Sequence, residues 1–388
     1  MTVDLPRSTE CVFSKEELDD RLMRVRKALP EAGCDVLVLT SPENIFWLSG
    51  QQTPGYYTFQ ALVVPVDAEP FFVIRRLEML NCAANSRIET ILPYEDDELP
   101  AVALVRALTE RGLKGRRLAV EKRGWFLTAA LYQAIDEALG PLTDGSGILE
   151  PLRQVKSAAE IGFIETAAAY ADAGMRAGID ATRAGATEND VVAAMMGAAI
   201  AAGSEYFGME PLVSSGPRSG VPHGTWRRRK LEKGDAMFLE LAAVHNRYHA
   251  GLMRSAWLGE PPALARRMHE TCLDALAAAL GALKPGATCA EVHGACQAVI
   301  DREGFTEAYR KRTGYSIGIS FAPDWGEGNV LSLFRGVDRV IEPGMVFHIP
   351  PALRVYGEYT VGVSETAVVT ETGNRPLSAI ARDLVVVA

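Results

Sequence analysis

Four stretches of this 388-residue chain place polar side chains where packing or solvation alone explains them poorly. Residues 214–226 (SSGPRSGVPHGTW) form a turn-rich loop of Gly, Pro and Ser that delivers His223. A histidine can move a proton near neutrality, although a lone loop histidine is more often a surface side chain. In 237–257 (MFLELAAVHNRYHAGLMRSAW), Glu240 interrupts an apolar strand. A carboxylate there must be paired or functional, because burying it alone is strongly unfavourable. A structural ion pair with Arg247 or Arg254 is the competing reading. Residues 312–333 (RTGYSIGISFAPDWGEGNVLSL) set Tyr315, Asp324, Trp325 and Glu327 among glycines, the texture of a site loop; each alone could be a surface side chain. Finally, 357–373 (GEYTVGVSETAVVTETG) carries Glu365 on an alternating strand beside Val363, Thr366 and Val368. A histidine with two strand carboxylates is a set suited to proton transfer and to nucleophilic or base catalysis.

These side chains need a scaffold, and 388 residues at roughly 150 per domain suffice for two domains. The first 150 residues alternate helix and strand. Helical spacing and a Ser-x-x-Glu start mark a helix over 14–33. Strands are predicted over 34–40, 57–66, 69–76 and 116–123, and a further helix over 126–140. This alternation predicts a three-layer α/β domain with a mixed sheet over 1–152. From 153 to 388 the texture changes and the chain repeats itself. Gly185-Ala186-Thr187 recurs as Gly286-Ala287-Thr288, and Gly203 as Gly304, 101 residues apart in each case. Strands then follow, 234–244 in the first copy and 344–355 in the second, with Glu240 and Pro350 at equivalent strand positions. Two helix–sheet copies predict one domain with a site at their seam.

Hydrophobic residues make up 48% of the chain and charged residues 23%, which excludes wholesale disorder. Net charge is −9, which argues against nucleic-acid binding. The basic run Arg227–Lys230 is expected to be a solvated turn. No apolar run is long enough to span a membrane, and the first residues lack the pattern of a secretory signal. The six cysteines are scattered without a C-x-x-C pair, which fits a reduced, cytoplasmic protein.

The strings SGPRSGVPHG, YHAGLMRSAWLG, TGYSIGIS, EPGMVFHI and SETAVVTETG resemble, in order, those of the pita-bread superfamily of creatinases, aminopeptidases P, prolidases and methionine aminopeptidases. The resemblance implies a creatinase-like N-terminal domain followed by a pita-bread domain of two pseudo-symmetric helix–sheet halves. Its metallopeptidase members bind two divalent metals through two aspartates, a histidine and two glutamates. At those positions this chain has Glu240, Gly251, Tyr315, Pro350 and Glu365. Hard cations need several carboxylate oxygens, so no metal and no other cofactor is expected. The chain looks most similar to the metal-independent branch, creatinase and ectoine hydrolase, which act on small amidine-containing molecules.

What the resemblance implies for the residues follows from that chemistry. Glu365 would hold an amidinium, Glu240 would attack the carbon or activate water, and His223 would shuttle the proton. Tyr315, Asp324 and Trp325 would contact substrate, and His249 and His348 would lie behind them; Arg335, which follows the DWGEG loop, could bind a substrate carboxylate through two parallel hydrogen bonds or be an exposed surface arginine. Tyr315 could instead fill the hole left by lost metal. In creatinase-like homodimers one N-terminal domain reaches over the partner's site, which here would bring Tyr57 and Phe59, on the first strand of that region, and Arg76; Tyr56, Tyr57 and Phe59 could equally form a hydrophobic patch in the dimer interface itself. A metal-dependent X-Pro dipeptidase and a non-catalytic binding protein of the same fold are the competing expectations.

Overall fold

The computed structural model describes residues 7–309 and 311–388. The chain divides into two compact units, Met1–Arg153 and Gln154–Ala388.

In the first unit, strands β1 (Val36–Leu39), β2 (Gln60–Pro65), β3 (Phe71–Arg75), β4 (Thr90–Tyr94), β5 (Leu118–Val120) and β6 (Thr143–Asp144) form one sheet, ordered β4-β3-β2-β1-β5-β6. The β1–β2 and β2–β3 pairs are antiparallel and the others parallel, so the sheet is mixed. Both faces are covered. Val36, Val38, Val63 and Val73 pack under α4 (Pro100–Glu110) and α5 (Ala129–Leu139), while Leu37, Leu39, Leu62 and Val64 on the opposite face are equally buried. Burial on both faces explains why these strands read as apolar runs rather than alternations. The remaining helices of this unit are α1 (Lys15–Glu31), α2 (Pro42–Ser49), α3 (Met79–Asn85) and α6 (Glu150–Arg153). At α1, the Ser14 side chain accepts from the Glu17 amide.

The strand predicted to begin at residue 57 begins at Gln60 instead. Tyr57 ends a 3-10 turn, Pro54–Tyr57, whose start is capped by Thr53, and it is exposed. Phe59 is buried in the core of its own unit, where its carbonyl accepts from Tyr94 Oη at 2.7 Å. The ring of Phe59 therefore packs in its own domain instead of presenting itself to a substrate. Arg76 is exposed and pairs with Glu95.

The second unit realises the duplication. Helices α7 (Ala158–Ala181) and α8 (Glu188–Ala202) open the first copy; α9 (Ala263–Ala282) and α10 (Cys289–Arg302) open the second. The repeated Gly-Ala-Thr does the same work twice. Thr187 and Thr288 each cap the following helix in a reciprocal capping box, with Asp190 and Glu291 respectively. Each threonine also bridges to the segment before a strand, Thr187 to Lys230 and Thr288 to Val340.

Strands β7 (Leu212–Ser215), β8 (Ala236–His245) and β9 (Tyr248–Leu258) make an antiparallel sheet, which β17 (Val385–Val387) joins at the β9 edge in parallel. The second copy supplies β10 (Gly314–Ser316), β11 (Ser332–Leu333), β12 (Val346–Ile349), β15 (Glu365–Val369) and β16 (Asn374–Pro376), ordered β11-β10-β12-β15-β16. A separate hairpin pairs β13 (Ala352–Val355) with β14 (Tyr359–Gly362).

One expectation about this half is corrected. Pro350 does not share a strand with β12; it follows Ile349, and Pro350-Pro351 separates β12 from β13. Proline has no amide proton to give the ladder, so it ends the strand.

Candidate active site

Period-two alternation sends Phe238, Glu240 and Ala242 to one face of β8. Leu212 and Met253 lie opposite Glu240 on the neighbouring strands. Leu212, Phe238, Ala242, Met253, Trp325 and Ala352 pack together, so Glu240, a residue 8% exposed, stands among apolar side chains. Burial pushes its pKa up to about 7. Lys311 and Arg354 pull in the opposite direction. Neither forms an ion pair or hydrogen bond with Glu240; the expected pairing with Arg247 or Arg254 is also absent among the described residues.

Arg354 shares its strand face with Ala352, which packs on Phe238 and Ala242. Its Nε is buried without a hydrogen-bond partner among the described residues. Lys311 donates to the Pro350 carbonyl at 2.7 Å, and burial lowers its pKa to about 8. Sequence reasoning missed both cations. The signal for Arg354 was the one used for Glu240, a charge inside an apolar strand. Lys311 stands four residues before Tyr315, in the same loop-like stretch.

Tyr315 and Trp325 come to this cluster. Trp325 Nε1 donates to Tyr315 Oη at 2.9 Å, and His348 Nδ1 lies 2.9 Å from the same oxygen. His348 Nε2 lies 2.8 Å from Ser364 Oγ. Burial pushes the Tyr315 phenol up and lowers His348 to about 3, so both are neutral. Gly326 lets the tyrosine ring lie against its loop, since a Cβ there would meet Tyr315 Cε2 at 2.5 Å.

Asp324 is exposed, and its Oδ1 accepts from the amides of Trp325 and Gly326. That shapes the turn presenting Trp325. Glu327 forms a buried ion pair with Lys156 at 2.8 Å, which Ser316 shares. Buried His249 bonds the Arg247 carbonyl through Nδ1; its Nε2 has no partner among the described residues, and desolvation lowers its pKa to about 4. Arg335 is exposed and stacks on Phe334, and among the described residues no hydrogen bond or ion pair joins it to the Glu240 cluster.

Glu365 is fully buried. Its Oε1 accepts from Arg254 at 2.9 Å and Arg382 at 3.0 Å, while Oε2 has no partner among the described residues. Two guanidinium groups on one carboxylate narrow the expected role of holding a substrate cation to that single remaining oxygen.

His223 sits exposed at the tip of its loop with φ +55°. Both ends of the loop are fastened to Glu188, the first residue of α8, whose carboxylate accepts from Ser215, Arg218 and the Arg227 amide. The loop leaves β7 at Ser215, opposite Met237, roughly 10 Å along the strand from Glu240. No hydrogen bond or ion pair joins His223 to Glu240 among the described residues. Of the basic run, Arg229 pairs with Asp235 at 2.5 Å, and Arg227, Arg228 and Lys230 are exposed.

The model of metallopeptidase family M24 matches residues 162–371, and that of the creatinase/prolidase N-terminal domain matches 21–155. The chain belongs to family M24. It therefore has a creatinase N-terminal domain and a pita-bread domain, and it is a hydrolase by family. Across M24 it is 30% identical over 400 residues to the ectoine hydrolase of Halomonas elongata, covering 96% of this chain and 98% of that protein. It is 28% identical over 368 residues to a Xaa-Pro dipeptidase of Lactobacillus delbrueckii subsp. lactis, covering 94% and 98%. The dipeptidase PepE structure from Mycobacterium ulcerans superposes with a TM-score of 0.83 at 26% identity, covering 97% of this chain and 99% of that one.

Many M24 proteins carry metals, but the residues here do not fit a dinuclear centre. Gly251 has no donor, and a Cβ at that position would press on the His348 ring. Pro350 has no side-chain donor, and its carbonyl is taken by Lys311. Tyr315 is a neutral phenol already bonded twice. Glu240 faces two cations and Glu365 binds two more. Among the described residues no three His, Cys, Asp or Glu side chains converge as metal ligands. Nor, among them, is any helix long and apolar enough to cross a membrane.

Proposed function

We propose that this M24 hydrolase cleaves a C–N bond of a small amidine, guanidino or cyclic-imine compound without a metal or other cofactor. It works in the cytoplasm as a homodimer in which the exposed Tyr57 of one N-terminal domain closes the partner's site. The observation that carries the reading is Glu240: a buried carboxylate with no hydrogen-bond or ion-pair partner among the described residues, poised to titrate near neutrality. A base or nucleophile tuned in this way is what the chemistry requires.

The substrate's own positive charge makes the amidine carbon electrophilic. Glu240 either attacks it, forming a C–O bond that water later hydrolyses, or takes a proton from water as that water adds. Glu365 Oε2 accepts one amidinium N–H, His223 delivers the proton to the leaving nitrogen, and Lys311 and Arg354 attract an anionic group on the same molecule. Similarity to an ectoine hydrolase supports this reading, and the Xaa-Pro dipeptidase relative supports the alternative of a peptidase.

The test is product detection with EDTA-treated enzyme on ectoine, hydroxyectoine, creatine and other amidines, with Glu240→Gln as control. Turnover that disappears in the variant is expected, and a mass adduct would make Glu240 a nucleophile. Cleavage of an X-Pro dipeptide only after Mn²⁺ addition, with no amidine turned over, would overturn the reading.

A further inference from the structure

The polar chain behind Glu240 has a direction, which proton counting reveals. Ser364 Oγ accepts from the Met253 amide at 2.7 Å and lies 2.8 Å from His348 Nε2. Ser364 is fully buried, and its hydroxyl proton has no acceptor besides that nitrogen among the described residues. If Nε2 carried the imidazole proton, Ser364 would receive two protons and leave its own buried and unbonded, which is costly. Nε2 must therefore be the acceptor, and in the neutral ring Nδ1 then carries the proton. That N–H points at Tyr315 Oη, which already accepts from Trp325 Nε1. Both neighbours thus donate to the oxygen, so neither can take the phenolic proton, and no other acceptor for it occurs among the described residues.

We propose that Tyr315 is a one-way hydrogen-bond donor at this site: the Nδ1–H tautomer of His348 directs its phenolic O–H into the space beside Glu240, so a bound ligand must place an acceptor oxygen there. The group does not ionise; it orients the ligand. Amidinium N–H groups are refused at Tyr315 and must turn towards the carboxylates, while a carboxylate or carbonyl oxygen is accepted. The ligand half of this assignment rests on the hydrolase reading above; the tautomer does not.

The direct test is ¹⁵N NMR of histidine-labelled wild-type protein at neutral pH, with Ser364→Ala used to assign the His348 signals. A protonated Nδ1 and an unprotonated Nε2 are expected; a protonated Nε2, or an imidazolium, would overturn the proposal. Binding is then measured by calorimetry with ectoine and with glycyl-proline as probes. For whichever probe binds wild type, Tyr315→Phe should weaken binding about tenfold, the effect of a hydrogen bond to a charged acceptor. Unchanged affinity in the variant would overturn the ligand assignment. Failure of wild type to bind ectoine counts against the amidine reading alone, and the spectrum still decides the tautomer.

Discussion

Gly251 and His348 share one space: a Cβ on residue 251 would stand 3.0 Å from His348 Nδ1 and Cε1 and 3.1 Å from Nε2. Restoring a carboxylate at this position is therefore not a route back to metal binding. Gly251→Asp should displace the imidazole, break the Ser364–His348–Tyr315 connection and destabilise the fold by about 1–3 kcal/mol, as overpacking does. Urea denaturation checks the stability, and Mn²⁺ calorimetry should register no site. His348→Ala in the Gly251→Asp background should recover part of the loss, because the two positions are in contact.

Glu240→Gln should abolish turnover yet stabilise the protein. The folded pKa of about 7 lies above the ordinary value of 4.5, so folding binds a proton more readily than the unfolded chain does. The ionised carboxylate therefore lowers stability progressively as pH rises from 4.5 through about 7. The amide variant escapes this. It should gain up to roughly 3 kcal/mol at about pH 8 and nothing below the unfolded pKa. Thermal unfolding across that window measures the difference, and a variant less stable than wild type at alkaline pH would contradict the assigned shift.

The two cations near Glu240 set the other side of the pH response. Ionised Glu240 gives activity a limb that rises near 7, and protonated Lys311 a limb that falls near 8. The kcat/KM profile should be a narrow bell. In Lys311→Met the falling limb should vanish. The rising limb should move to higher pH, since Lys311 lowers the Glu240 pKa. Arg354→Met should raise KM about tenfold for a carboxylate-bearing substrate and leave kcat little changed, the pattern of lost uniform binding.

Legibility of the sequence followed locality. The Ser-x-x-Glu start of the first helix, the duplication and the apolar strands rest on short-range rules of spacing and caps, and they could be read directly. Glu240 was legible because a charge breaks an apolar pattern. Arg354 sent the same signal but sits on a four-residue strand cut off by Pro350-Pro351, where the pattern is too short to stand out. The partners of Glu365 were illegible for a different reason. Arg254 lies 111 residues away, and only the packing of β9 against β15 decides that it meets Glu365 instead of Glu240. Phe59 failed similarly: an aromatic beside a strand start looks the same in sequence whether it faces a ligand or its own core.

The ion pairs of Glu365 yield two unequal substitutions. Arg254 is buried, and besides Glu365 it donates to the carbonyls of Met253, Ser364, Ile380 and Ala381. Arg382 reaches the same Oε1 from a side chain that is 39% exposed. Removing Arg254 leaves a buried carboxylate and several carbonyls undercompensated, so Arg254→Met should cost about 3–5 kcal/mol. Water and the remaining guanidinium compensate for loss of Arg382, so Arg382→Met should cost under about 1 kcal/mol. If the Arg254 penalty arises from stranded charge rather than lost packing, Glu365→Gln should restore part of the stability of Arg254→Met while adding little to Arg382→Met. Urea denaturation of the four variants measures this, and equal penalties for the two arginines would mean that the buried charge is not what Arg254 compensates.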